Sequence, residues 1–127
     1  MYELSVDSHF AAAHFLRGYE GDCARLHGHT WGVTATIEAI TLDGTGMCID
    51  FKDVSRCIDE IVGRFDHQTL NDLEEFRDIN PTAENLGKLI FELLSEKLNN
   101  DNICVLSVTV AESDRYRVTY RKSNNSE

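Results

Sequence analysis

The chain contains one proline, Pro81, in 127 residues, and has no internal repeat and no low-complexity linker. Nothing divides it, so the expected organisation is a single domain over residues 1–122 followed by a polar tail, 123–127, that frays. No apolar run approaches the ~20 residues of a transmembrane helix. The opening Met1-Tyr2-Glu3-Leu4-Ser5-Val6-Asp7 has neither the basic start nor the apolar stretch of a secretion signal, and the expected location is cytoplasmic. Basic residues are few: 12 Lys and Arg stand against 22 Asp and Glu, a net charge of −10. That balance excludes non-specific binding to nucleic acid or anionic membrane, and a small molecule or another protein is the expected partner. The four cysteines are expected to be thiols in a reducing compartment. Cys48, Cys57 and Cys104 lie among apolar residues and read as buried packing residues, whereas Cys23 has polar neighbours, Asp22 and Arg25.

The hydrophobic pattern changes period twice. Tyr2, Leu4, Val6 and Phe10 alternate as in a strand running towards His14, and Thr30 to Ile40 reads as a second strand. Asp43-Gly44-Thr45-Gly46 is a turn, with Met47 to Ile49 a short strand extension after it. Phe51, Val54, Ile58, Ile61, Val62 and Phe65 then follow helical spacing. A polar loop from Asp66 to Asn80 leads to a second helix, opened by Asn80-Pro81-Thr82-Ala83-Glu84 and carried by Leu86, Leu89, Ile90, Leu93, Leu94 and Leu98. Strands over Cys104 to Glu112 and Tyr116 to Arg121 close the chain. The order β-β-α-α-β-β predicts an α+β fold, a four-stranded antiparallel sheet with both helices on one face. Its two open edges are a liability unless covered or used for assembly.

Three of the five histidines, His14, His27 and His29, fall in one short span with Cys23. Histidines at i and i+2 of an extended segment project from one face, and a third from the neighbouring strand completes a three-imidazole set. In zinc enzymes such a set leaves a position for water or substrate. Zinc is the expected metal, although imidazole also suits copper, nickel and iron. Cys23 is open to two readings: a fourth ligand that closes a structural site, or a free thiol acting beside the metal as base or nucleophile. Asp66-His67 is either a turn cap beside an exposed ring or an oriented proton shuttle. Glu112, ending a strand, is either a solvated carboxylate or a ligand anchor.

Taken together, these motifs resemble the 6-pyruvoyltetrahydropterin synthase and 6-carboxytetrahydropterin synthase family over nearly the whole chain. The resemblance is carried by Phe10-Ala11-Ala12-Ala13-His14, by Cys23 and the His27-Gly28-His29 that follows it after a three-residue spacer, and by Ile49-Asp50-Phe51. It continues through Phe65-Asp66-His67 with Leu70-Asn71, Asn80-Pro81-Thr82-Ala83-Glu84-Asn85-Leu86, and Glu112. It implies a tunnelling fold assembled into a ring, commonly a homohexamer of two stacked trimers, with sites shared across subunit boundaries. It implies His14, His27 and His29 as zinc ligands, and Cys23, Asp66 and His67 as catalytic residues. Glu112 is implied as the carboxylate that holds the pterin ring, with Thr82 near it. The short spacer between Cys23 and His27 is similar to that of the bacterial queuosine-pathway members. Those members convert 7,8-dihydroneopterin triphosphate to 6-carboxy-5,6,7,8-tetrahydropterin with loss of triphosphate and acetaldehyde. The competing readings are a 6-pyruvoyltetrahydropterin synthase of the biopterin pathway and a non-catalytic zinc- or pterin-binding assembly protein. Arg17, Arg25 and Lys88 are candidate cations for the triphosphate. Phe15 after His14, and Ser113-Asp114-Arg115 after Glu112, depart from the commonest family pattern and bear on substrate preference.

Overall fold

The structure, a computed structural model, describes residues 1–123; of the expected tail only Ser123 falls inside that range. Five strands and two helices follow in the order β1 (Tyr2–His14), β2 (His27–Ala39), α1 (Phe51–Gly63), β3 (Gln68–Thr69), α2 (Ala83–Leu98), β4 (Ile103–Ala111) and β5 (Arg117–Arg121). The sheet order is β3-β1-β2-β4-β5. The four long strands pair antiparallel, as the pattern predicts. The expected strand count is corrected by β3, a two-residue strand parallel to the β1 edge at Ala12 and Ala13. Two residues carry no periodicity, so this strand leaves no mark in the hydrophobic pattern.

Alternation decides the faces. In β2, Trp31, Val33, Ala35, Ile37 and Ala39 are buried, while Thr34, Thr36 and Glu38 point to the other face. In β1, Phe10, Ala12 and His14 are buried, whereas Leu4 and Val6 are only half-buried against the core. A bulge between Thr36 and Ile37 leaves Leu106 of β4 without a register partner, which bends the strand locally.

Both helices cover the apolar face, α1 against β1 and α2 against β4 and β5. Asp50 caps α1 by accepting the Lys52 N–H, and Thr82 caps α2 by accepting the Asn85 N–H. Their inner stripes are Val54, Ile58, Ile61 and Val62 in α1, and Leu86, Ile90, Leu94 and Leu98 in α2. No helix among the described residues is long and apolar enough to cross a membrane.

Three local expectations are revised. Met47 to Ile49 forms no strand, because Asp43 Oδ1 accepts hydrogen bonds from the Thr45 and Met47 N–H groups and closes a compact turn. The segment from Asp66 to Asn80 is not simply polar, since Leu70 and Phe76 are fully buried and anchor it through two short 3-10 turns. Cys48, Cys57 and Cys104 are half-buried rather than buried, at the margin of the core. Leu94 sits in the centre of the helix–sheet interface at 0% exposure. Leu94→Ala is expected to lower stability by roughly 2–5 kcal/mol through lost transfer energy and a cavity, measured as a fall in the urea unfolding midpoint at unchanged slope.

Candidate functional site

The pairing of β1 with β2 sets His14 directly opposite His27 and Ala12 opposite His29. His27 and His29 lie on the same face of β2 as Trp31, and His14 on the same face of β1 as Phe10, so all three rings turn towards the helix-covered side. Their centroids are 4.5 Å apart for His14–His27, 5.2 Å for His14–His29 and 4.9 Å for His27–His29. One ligating nitrogen from each lies within 4.8 Å of the others, a cluster that could hold a metal ion.

The hydrogen bonds around the rings show which nitrogens are free. His14 Nδ1 is 2.7 Å from the Pro81 carbonyl oxygen, and His27 Nδ1 is 2.7 Å from that of Arg25. A carbonyl only accepts, so each Nδ1 carries its hydrogen and each Nε2 keeps its lone pair, the arrangement of a metal-binding imidazole. His14 Nε2 and His29 Nε2 are buried without a hydrogen-bond partner. Burial lowers the pKa of both rings below the usual 6.5, against the opposing attraction of Glu112 and, for His14, the Pro81 bond. The donor set, its tautomers and its unpartnered nitrogens all fit a bound cation. Trp31 walls the site, its ring centroid 4.9 Å from that of His14 and 5.0 Å from that of His29.

Glu112 follows the last residue of β4, and its Oε2 stands 3.9 Å from His14 Nε2 and 4.0 Å from His29 Nε2. Beyond it opens a groove of about 430 Å³, lined by Ala83, Glu112, Arg115, Tyr116, Arg117 and Val118. Cys23 sits in a 3-10 turn over Asp22–Ala24, half-buried, and its sulfur is not among the atoms that converge on the metal position.

Asp66 and His67 grip the edge of β1 that β3 borders. Asp66 Oδ1 accepts the Ala11 N–H at 2.9 Å, and the His67 N–H donates to the Ala11 carbonyl at 2.6 Å. His67 Nδ1 is 3.0 Å from Asp66 Oδ2. The Ala11 N–H holds the Asp66 carboxyl below its usual pKa, with His67 acting in the same direction. His67 adopts φ +60, a left-handed conformation rare outside glycine, and its side chain is 82% exposed. Among the described residues it shares no hydrogen bond or ring contact with His14, His27 or His29.

A family model described as 6-pyruvoyl tetrahydropterin synthase matches residues 3–123. The chain belongs to that family. It is similar to the 6-carboxy-5,6,7,8-tetrahydropterin synthase of Bacillus subtilis, with 34% identity over 94% of this chain and 85% of the relative. It is also similar to the dihydroneopterin monophosphate aldolase of Pyrococcus furiosus, with 33% identity over 72% of this chain and 74% of the relative. The solved structure of the Caenorhabditis elegans 6-pyruvoyl tetrahydropterin synthase aligns with a TM-score of 0.86 over 96% of each chain at 24% identity, which shows a common fold.

Within this family chain, the structure gathers His14, His27, His29 and Glu112 at one end of the sheet and holds Asp66–His67 apart from them. Thr82 acts as the cap of α2, directly after the carbonyl that orients His14. Arg17 is occupied: its guanidinium donates to the Ile79 carbonyl and lies over the Phe15 ring. The cations that line the groove are Arg115, which lies over the Tyr116 ring, and Arg117, which donates to the Asp114 carbonyl; only the β4–β5 hairpin brings them beside Glu112, so local sequence does not single them out. The orienting carbonyl of Pro81 has no signature in sequence at all. Protons and metal compete for the same nitrogens, and the burial of His14 and His29 moves their part of that competition to more acid conditions. Metal affinity measured by calorimetric titration is therefore expected to fall as the pH is lowered through the range in which the rings protonate, and an affinity independent of pH contradicts the assignment.

Proposed function

We propose that this chain is a zinc-dependent lyase that converts 7,8-dihydroneopterin triphosphate and water to 6-carboxy-5,6,7,8-tetrahydropterin, acetaldehyde and triphosphate. The observation that carries the reading is the convergence of His14, His27 and His29, with the Nε2 lone pairs of His14 and His27 free, His29 Nε2 buried without a partner among the described residues, and the Cys23 sulfur outside the set. Three imidazoles leave room for an exchangeable ligand, and an unligated thiol leaves a base. The family and the B. subtilis relative's name support the pterin chemistry.

In this reading His14, His27 and His29 hold the metal. When bound there, zinc supplies Lewis-acid stabilisation of negative charge on the substrate's side-chain oxygens. Cys23, as thiolate, takes a proton from a side-chain carbon of the substrate. Asp66 keeps the His67 ring oriented for proton transfer, and the left-handed backbone at His67 is the kind of strain that functional positions retain. Glu112 accepts hydrogen bonds from the pterin's amino and ring N–H groups and fixes the ring. Ala83, next to the cap residue Thr82 at the start of α2, bounds the same groove. Internal redox balances the reaction: the dihydropterin ring gains the two electrons that the side chain gives up.

His67 is exposed and separate from the histidine cluster of its own chain, so we assign it to the site of a neighbouring copy in a ring assembly, the homohexamer that the family implies. Such a ring also covers the open edges of the sheet. Thiols throughout and an acidic surface suit a cytoplasmic setting.

Purified protein incubated with 7,8-dihydroneopterin triphosphate should release acetaldehyde and the carboxypterin, both identified by mass spectrometry. A pyruvoyl product without acetaldehyde assigns the other branch, and no consumption refutes the catalytic reading. Cys23→Ala is expected to retain zinc and fold while turnover falls by roughly 10²–10⁴-fold, the usual worth of a positioned proton acceptor. His27→Ala should lose metal and activity together, measured by elemental analysis and steady-state rates.

A further inference from the structure

Two motifs enter no chemical step, Leu70-Asn71 and Asn80-Pro81, yet both touch the segment that carries Cys23. After β1 the chain continues through Phe15, Leu16 and Arg17 as a stem for the Cys23 turn. The two backbone groups of Phe15 are both taken by one side chain: its N–H donates to Asn71 Oδ1 at 2.9 Å, and its carbonyl accepts from Asn71 Nδ2 at 2.9 Å. Arg17 repeats the pattern, its N–H donating to Asn80 Oδ1 at 2.8 Å and its carbonyl accepting from Asn80 Nδ2 at 3.0 Å.

Residues i and i+2 of an extended segment present their backbone groups to one edge and residue i+1 to the opposite edge. Leu16, between them, donates its N–H to the Cys23 carbonyl at 2.9 Å. One edge of the stem is thus clamped by two asparagine amides, and the other edge holds the backbone of Cys23. Each amide stands in for a neighbouring strand, supplying one donor and one acceptor to a single residue. Asn71 is 8% exposed, among the few buried polar residues of the chain. Asn80 is itself fixed, its carbonyl accepting from Asn85 Nδ2 at 2.8 Å.

We propose that Asn71 and Asn80 are positioning residues that hold the Cys23 thiol at its working place. The proposal rests on the reading of Cys23 as the proton acceptor. The two side chains act through the stem and touch neither metal nor substrate. Only an amide can perform the task, because a carboxylate has no donor for the Phe15 or Arg17 carbonyl and sets negative charge against it.

The test compares Asn71→Asp and Asn80→Ala with a control, Asn102→Ala. Asn102 makes a similar set of bonds, to the N–H groups of Ile40 and Thr41 and the Thr41 carbonyl, but serves a turn remote from the site. Three quantities are read: kcat and KM for 7,8-dihydroneopterin triphosphate, zinc content, and the rate of Cys23 carbamidomethylation by iodoacetamide followed by peptide mass spectrometry. Both clamp variants should lose about 10²-fold in kcat, the scale of a misplacement near 1 Å. KM and zinc content stay close to wild type, and Cys23 alkylation changes severalfold. Asn102→Ala should lower the melting temperature and leave kcat and alkylation unchanged. Folded clamp variants with wild-type kcat and Cys23 alkylation overturn the proposal, as do equal losses in the control. If Asn71→Asp does not fold, Asn80→Ala decides alone. If the wild-type protein leaves the pterin triphosphate untouched, the lyase reading fails, and the alkylation comparison still decides whether the clamp places the thiol.

Discussion

The antiparallel register between β1 and β2 determines where the three imidazoles meet. It places His14 opposite His27 and gives His29 the small side chain of Ala12 as its facing residue. A slip of one residue in β2 would send both His27 and His29 to the polar face, away from His14. The register is held by the core rather than by the site: Phe10 faces Trp31 across the strands with ring centroids 5.9 Å apart, and Trp31 Nε1 donates to the Ala12 carbonyl at 3.2 Å. Trp31 also touches two of the ligand rings. The indole is therefore the mechanical link between packing and chemistry, and the nitrogen cluster is positioned by fully buried core side chains.

A second constraint comes from the stretch between the helices, which contains little regular structure and yet meets β1 and its continuation at four successive places. Asp66 and His67 hold Ala11, Asn71 holds Phe15, Asn80 holds Arg17, and Pro81 orients the His14 ring. These contacts satisfy backbone groups that an open edge would leave unpaired, so edge protection and site geometry are achieved by the same bonds. The buried side chains of Leu70 and Phe76 make the stretch stiff enough for this. Its polarity in sequence conceals that role, because its anchors, Leu70, Leu73 and Phe76, are isolated apolar residues set among polar and acidic ones.

Period and spacing made much of the molecule legible. Alternation located the four long strands, helical spacing located α1 and α2, and the His27–His29 interval with His14 on another strand announced a convergent set of nitrogens. The family motifs placed Glu112, which the fold then brings within about a water's breadth of the rings. Other features depend on contacts that no local pattern encodes. The Pro81 carbonyl and the reciprocal Asn71 and Asn80 bonds join residues more than fifty positions apart. Arg115 and Arg117 acquire meaning only through the hairpin that folds them back on Glu112. Asp66 secures the β1 backbone with one carboxylate oxygen and faces His67 with the other.

The energetics of the histidine cluster bear on why it is arranged for a cation. A buried polar atom without a partner costs about 1–3 kcal/mol, and His14 Nε2 and His29 Nε2 are both in that position. Burial disfavours protonation of either ring, and the neighbouring imidazoles act the same way against the attraction of Glu112. Nor can Glu112 satisfy them: a carboxylate only accepts, and it faces nitrogens whose hydrogens are on the opposite side of the ring in His14. A divalent cation resolves all of these at once, accepting the lone pairs and placing positive charge beside Glu112. Metal binding then adds directly to the stability of the fold. The same charge matters for an anionic substrate approaching a chain of net charge −10. Screening confines that repulsion to about 8 Å at physiological salt, so in the proposed reaction recognition would depend on local positive charge, from a cation held by the histidines and from Arg115 and Arg117 in the groove.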